Sequence, residues 1–206
     1  MNTFKRDLLT VPNAMSLARL LAAPTLGFFW FALDMKVTAL VIGTAAGVTD
    51  LFDGIVARRL NQVTDLGALI DQLGDLVFES CCLLIGVLTG ELWSGFLILY
   101  LFREFTVTVM RTYVASRGGT LPSSTLGKAK SSLFQYAFFI LYLGVILKQP
   151  GFLPASYGMC GVTPGHVLMW TGYASLAVGM FISYTSGWHY LRAFSRFYGQ
   201  DRAAVR

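Results

Sequence analysis

Residues 49–76 read TDLFDGIVARRLNQVTDLGALIDQLGDL, and four aspartates of this stretch, Asp50, Asp53, Asp71 and Asp75, stand inside otherwise apolar runs. A carboxylate near the centre of a bilayer costs about 2.5–3.5 kcal/mol on insertion scales, so four cost roughly 10–14 kcal/mol before compensation. Asp50 and Asp53 are spaced i,i+3 and Asp71 and Asp75 i,i+4, so each pair projects from one face of its own helix. The polar turn between the two runs holds Arg58, Arg59 and Asp65. An antiparallel helix pair joined by that turn sets all four carboxylates at one depth.

The remainder of the chain supports this membrane reading. Of 206 residues, 55 % are hydrophobic and only 13 % charged, and the mean hydropathy is +0.60. That is outside the range of a soluble globular domain. Apolar runs of about 20 residues recur, each long enough to cross a hydrocarbon core about 30 Å thick. The expected architecture is all-α: a polytopic membrane protein, one domain over residues 1–206, with six transmembrane helices at roughly 14–33, 37–58, 67–89, 92–116, 126–147 and 165–194. The first run follows Lys5 and Arg6 as a signal peptide would, but it is too long and lacks a clear small-residue cleavage site, so it reads as a retained helix.

With the N-terminus in the cytoplasm, that side receives Lys5, Arg6, Arg58, Arg59, Arg111, Arg117, Lys128, Lys130, Arg192, Arg196, Arg202 and Arg206, and the opposite side only Lys36 and Lys148. This bias places both termini in the cytoplasm. Arg19 and Arg103 are left inside helices 1 and 4, where a charge is costly and usually functional. The net charge of +5 is explained by the cytoplasmic loops and anionic lipid, so no nucleic acid is expected as a partner. Cys81 and Cys82 are adjacent in an apolar run and Cys160 is alone in a loop, which gives no disulfide framework. Residues 148–166, rich in Gly and Pro, read as the longest outside loop.

Four hard oxygen ligands with no histidine nearby suit Mg²⁺ or Mn²⁺ rather than Zn²⁺, since His166 and His189 lie far along the chain. Two such ions balance four carboxylates and suit displacement at phosphorus. Gly54, Ala57 and Gly67 keep the flanking turns small, so a bulky phosphate can approach the backbone. Gly43 and Gly47, by contrast, read as helix-packing positions.

Asp50, Asp53, Gly54, Ala57, Arg58, Gly67, Asp71 and Asp75 spell D-x2-D-G-x2-A-R-x8-G-x3-D-x3-D without a departure. This resembles the signature of the CDP-alcohol phosphotransferases, integral membrane enzymes of phospholipid synthesis. The resemblance implies that an acceptor hydroxyl attacks the β-phosphorus of a CDP-linked lipid or alcohol and CMP leaves. It implies two divalent ions held by Asp50, Asp53, Asp71 and Asp75, with Asp75 also the catalytic base. Gly54, Ala57, Arg58, Thr64 and Gly67 would face the CDP-lipid, as would Asn13 and Ser16, whose Pro12-Asn13-x-x-Ser16 resembles the family's entry to helix 1. By position alone, Arg58 reads as a positive-inside anchor. A homodimer in a bacterial-type inner membrane, with the site at the cytoplasmic interface, belongs to the same expectation.

The acceptor is read from a second group. Helix 4 carries Arg103, Glu104 and Arg111, and helix 5 opens with Gly127, Lys128 and Lys130. These, R-E-x6-R and G-K-x-K, resemble segments of the phosphatidylglycerophosphate synthase branch, which implies CDP-diacylglycerol as donor and glycerol 3-phosphate as acceptor. Arg103, Arg111, Lys128 and Lys130 would then form a cationic pocket for the acceptor phosphate. Arg103 and Arg111 are two turns apart on similar faces, whereas the adjacent Arg103 and Glu104, diverging by about 100°, should serve different partners. Arg111, Lys128 and Lys130 also fit the role of plain cytoplasmic anchors. Where the branch commonly reads D-P-x-A-D-K, this chain reads Asp71-Gln72-Leu73-Gly74-Asp75-Leu76, so the lysine is missing, and Glu79 has no assigned role. Inositol phosphate, serine and phosphatidylglycerol therefore stay open as acceptors. A divalent-cation transporter is the alternative of another class, because intramembrane acids also mark ion paths; their clustering at one end argues against it. An inert scaffold would not need all eight signature residues.

Overall fold

A computed structural model describes residues 10–59, 65–120, 125–149 and 162–204; the side chains of residues 11, 12, 50–59, 65, 66, 125–129 and 202–204 are not described. Six long helices follow one another: α1 Val11–Gly27, α2 Lys36–Arg59, α3 Asp65–Leu88, α4 Ser94–Ser116, α5 Thr125–Leu147 and α6 Pro164–Ala204. The described residues contain no strand. The all-α expectation holds, and the six helices fall where the six apolar runs place them. Among the described residues, three segments are long and apolar enough to cross a membrane by themselves: Asn13–Ala32, Lys130–Leu147 and Pro164–Asp201. The others are diluted by the charges that make them interesting: Asp50, Asp53, Arg58 and Arg59 in α2, Asp71, Asp75 and Glu79 in α3, and Arg103, Glu104 and Arg111 in α4.

Helix α1 contains Pro24, which has no N–H to give the helix ladder. Four residues later the helix widens into a π turn, Phe28–Ala32, where the Leu33 N–H donates back to the Phe28 carbonyl at 3.3 Å. Asp34, with φ +50, and an ion pair to Lys36 at 3.2 Å then turn the chain into α2.

Helix α1 packs on both α2 and α3, and so links the two aspartate helices. Helices α5 and α6 form the most extensive pair, α4 rests on α6 and α3, and α2 touches α5. The core runs along α5: Phe134, Phe138 and Tyr142, one turn apart, stack at centroid distances of 6.0 and 6.4 Å. Tyr100 of α4 meets Phe134 at 5.7 Å and Trp30 meets Tyr142 at 5.1 Å, both edge-on. Large apolar residues such as Leu21, Phe102, Val109, Trp170 and Phe181 are exposed, the surface expected of a protein solvated by lipid tails.

Candidate active site

Nearly two turns of α1 carry buried polar side chains, and two of these reach α3. Asn13, Ser16 and Arg19, at three-residue spacing, are all buried, an unusual polar stripe on an apolar helix. The two helices approach closely because residue 74 is glycine: a Cβ there would lie 3.3 Å from the Ser16 carbonyl oxygen. Asp71 and Asp75 lie on either side of that contact. Arg19 Nη1 donates to Asp71 Oδ1 at 3.2 Å and also to Asp75 Oδ1, while the Ser16 hydroxyl lies 3.4 Å from Asp71 Oδ1. The guanidinium is 1 % exposed, whereas the carboxylates are 44 % and 31 % exposed. The arginine thus reaches the acids from the protein side, and they keep an open side of their own.

The open side is what a metal would need. Asp71 and Asp75 already bring one oxygen each to a common cation, and the donors are hard carboxylates, so they fit a divalent ion. Among the described residues, no group of three His, Cys, Asp or Glu side chains is placed to hold one. Asp50, Asp53, Gly54, Ala57 and Arg58 lie in the last turns of α2, where the helical backbone is described but the side chains are not. Thr64 lies outside the described residues. Gly67 is in the first turn of α3, half-buried.

The acceptor-side cations are placed otherwise than the sequence suggests. Arg103 and Lys130 are buried, and both bond to one atom, Glu104 Oε1: Arg103 Nη1 at 2.6 Å, Lys130 Nζ by a shorter contact. Glu79, also buried, lies with Oε2 3.7 Å from Lys130 Nζ, and its Oε1 accepts from Ser131 at 2.9 Å. Lys130 further sits over the Tyr100 and Phe134 rings, at 5.3 and 5.7 Å. The group is therefore a charge-balanced network rather than a bare cationic pocket, and Arg103 and Glu104 are partners rather than divergent neighbours. The 100° between adjacent positions is bridged by the length of the arginine side chain. Arg103 and Arg111 do share a face, and it is turned to α6: Arg103 Nε donates to the Ser183 carbonyl at 3.0 Å, and Arg111 bonds the Tyr190 hydroxyl and lies 4.7 Å over its ring. The side chain of Lys128, in the first turn of α5, is not described.

The sequence marks Arg19 as a charge inside an apolar helix but does not place it across two acids. The available signal was its position, three residues after Ser16 on the face that carries Asn13. Glu79 likewise continues the Asp71, Asp75 spacing by four residues, and the structure gives it Lys130 and Ser131 as neighbours.

An apolar cavity of about 260 Å³ opens beside the site. Gly43, Thr44, Gly47 and Val48 of α2 form one wall, and Trp30 of the π turn and Tyr142 of α5 also line it. Gly43 and Gly47 do pack helices, as expected, facing Leu26 and Gln135. Val48 is two residues before Asp50, and Phe78, which also lines the cavity, is about one turn after Asp75.

A helical bundle with apolar outer surfaces, two carboxylates open on one side and an apolar cavity between its helices is the architecture of an integral membrane protein. The CDP-alcohol phosphatidyltransferase family matches residues 9–181, and the chain belongs to that family. It is 26 % identical over 190 residues to a Rickettsia bellii protein named CDP-diacylglycerol–glycerol-3-phosphate 3-phosphatidyltransferase, covering 91 % of this chain and 97 % of that one. A Bacillus subtilis protein of the same name is 28 % identical, with 87 % and 92 % covered. A CMP-forming cardiolipin synthase of Streptomyces coelicolor is 32 % identical over 79 % of this chain and 78 % of that one.

Proposed function

We propose that this chain transfers a phosphatidyl group from CDP-diacylglycerol to a hydroxyl of glycerol 3-phosphate, releasing CMP and forming phosphatidylglycerophosphate. The observation that carries the reading is the likeness, over nearly the whole chain, to relatives named for that reaction. In this reading Asp75 takes the proton of the acceptor hydroxyl, whose oxygen forms the new bond to the β-phosphorus as the bond to CMP breaks. Arg19 and Ser16 orient Asp71 and Asp75. Asp50, Asp53, Asp71 and Asp75 would hold two Mg²⁺ or Mn²⁺ ions, which when bound supply charge stabilisation to the pyrophosphate. Asn13, Gly54, Ala57, Arg58, Thr64 and Gly67 would border the CDP moiety, and the cavity along α2 would admit an acyl chain. Arg103, Arg111, Lys128 and Lys130 would receive the acceptor phosphate.

The chain is read as one domain, residues 1–206, a homodimer in an inner membrane with six spans. Both termini and the site would be at the cytoplasmic face. In support, Ser183, which contacts Arg103, lies about 29 Å along α6 from Pro164, close to one core thickness. A second reading, with phosphatidylglycerol as acceptor, is favoured by the 32 % identical relative named a cardiolipin synthase and by Leu76 standing where the synthase branch commonly has lysine.

The test is CMP release by the purified protein in lipid micelles containing CDP-diacylglycerol and Mg²⁺ or Mn²⁺, with glycerol 3-phosphate, inositol phosphate, serine or phosphatidylglycerol added singly. Release that depends on glycerol 3-phosphate and falls by about 10²–10⁴ in Asp75→Asn is expected. Release with phosphatidylglycerol instead would move the reading to the second acceptor, and divalent-cation flux into liposomes without any release would favour the transporter.

A further inference from the structure

The Glu79, Arg103, Glu104 and Lys130 network carries two positive and two negative charges and draws on α3, α4 and α5. Its members are not equally fixed. Glu79 is 2 % exposed and tied to Ser131; Lys130 and Arg103 are 7 % exposed, and Arg103 is also anchored on the Ser183 carbonyl. Glu104 is the most open at 17 %. Its one oxygen, Oε1, receives both cations, which is the contact that one oxygen of a phosphate would offer the same two donors. Buried cations without an anion are strongly destabilising, so an empty acceptor site needs a counter-charge of its own.

We infer that Glu104 is an internal stand-in for the acceptor's phosphate: it neutralises Arg103 and Lys130 while the site is empty and swings away when the phosphate arrives. The inference rests on the proposed phosphorylated acceptor and deepens it. Glu79 stays and keeps Lys130 in place during the exchange. The arrangement makes Glu104 a specificity-determining residue. An acceptor without a negative charge has nothing to exchange for the carboxylate, whereas a phosphorylated one does, at the expense of part of its affinity.

The experiment compares wild type with Glu104→Gln, which keeps the shape and removes the competing charge. Two quantities are read: KM and kcat for glycerol 3-phosphate in the micelle assay, and the affinity of the donor-free protein for inorganic phosphate. The expected result is a KM lower by on the order of tenfold with no gain in kcat, and phosphate binding tighter by a similar factor. An unchanged or raised KM together with phosphate binding no tighter than wild type overturns the inference and makes Glu104 a permanent strut. Should the glutamine variant fail to fold, Glu104→Asp, which draws the charge back by one methylene, is measured instead; a lower KM supports the exchange and an equal or higher one overturns it. If wild type releases CMP only with an unphosphorylated acceptor, the proposed function fails and this inference with it, whereas glycerol 3-phosphate-dependent release with KM and phosphate binding unimproved in the variant overturns the inference alone.

Discussion

Arg19 is the residue on which the geometry of the candidate site turns, because one buried guanidinium nitrogen serves both Asp71 and Asp75. Lysine ends in one strongly hydrated ammonium on a shorter side chain, so in this buried position its nitrogen falls short of the point where Nη1 meets both acids. Arg19→Lys is therefore expected to act nearly as severely as Arg19→Ala, and each should raise the divalent-ion concentration for half-maximal CMP release by about 10–100-fold, the usual effect of removing a residue that orients metal-binding carboxylates. A metal titration of the rate in both variants checks this; a lysine variant indistinguishable from wild type would show that only charge matters there. The four aspartates were legible in the sequence because a carboxylate in an apolar run is conspicuous. The neutralising partners were not, since pairing between Arg19 and α3 spans more than 50 residues and no local pattern encodes it. The Glu104 contacts illustrate the same limit: spacing showed that Arg103 and Lys130 exist, but not that an acid already occupies them.

At the scale of the helix, small residues decide how near two elements come, and each such contact should have a measurable cost when filled. On α6, a Cβ at Gly172 would lie 2.9 Å from Leu141 Cα and 3.0 Å from its backbone nitrogen, so the obstacle is backbone and cannot rotate aside. Gly172→Ala should destabilise the α5–α6 pair by about 1–3 kcal/mol, the usual range for overpacking, and thermal unfolding in detergent would register it. Gly74 makes a gentler contact, 3.3 Å to the Ser16 carbonyl, but it lies between Asp71 and Asp75. Gly74→Val should push α1 from α3 and lower CMP release by tenfold or more while lowering the melting temperature less than Gly172→Ala does. Equal losses of both in the two variants would mean that Gly74 packs helices without positioning the site. Apolar periodicity located all six helices to within a few residues, except at the far end of α6, expected near 194 and reaching Ala204. Nor did periodicity announce the π turn after Pro24, because its residues, FFWFA, are as apolar as an α-helix requires.

For the whole molecule, the length of α6 sets how the protein stands in the bilayer. Its 41 residues extend about 61 Å, twice the hydrocarbon thickness, so close to half of it projects beyond the core. That overhang is not a free rod. Phe194 and Tyr198 pack on Tyr113 at centroid distances of 5.6 and 6.0 Å, and Asp201 pairs with Arg117 at 3.5 Å, so it braces the end of α4 that leads to Arg111. Exposed charge contributes little to such a brace, and the aromatic pairs carry most of it, about 0.5–1.5 kcal/mol each. Truncation after residue 193 is thus expected to lower the melting temperature in detergent by several degrees, and Tyr113→Ala to reproduce most of that loss, whereas Arg117→Ala should not. The overhang also carries Arg192, Arg196 and Arg202, all cations that the positive-inside rule keeps in the cytoplasm. A fluorescent protein fused after Arg206 should accordingly fold and fluoresce, and an alkaline phosphatase fused there should be inactive. The opposite pair of results would turn the bundle over, placing Asp71, Asp75 and their exposed carboxylate oxygens on the side away from the nucleotide-linked donor, and would remove the physical basis for the proposed reaction.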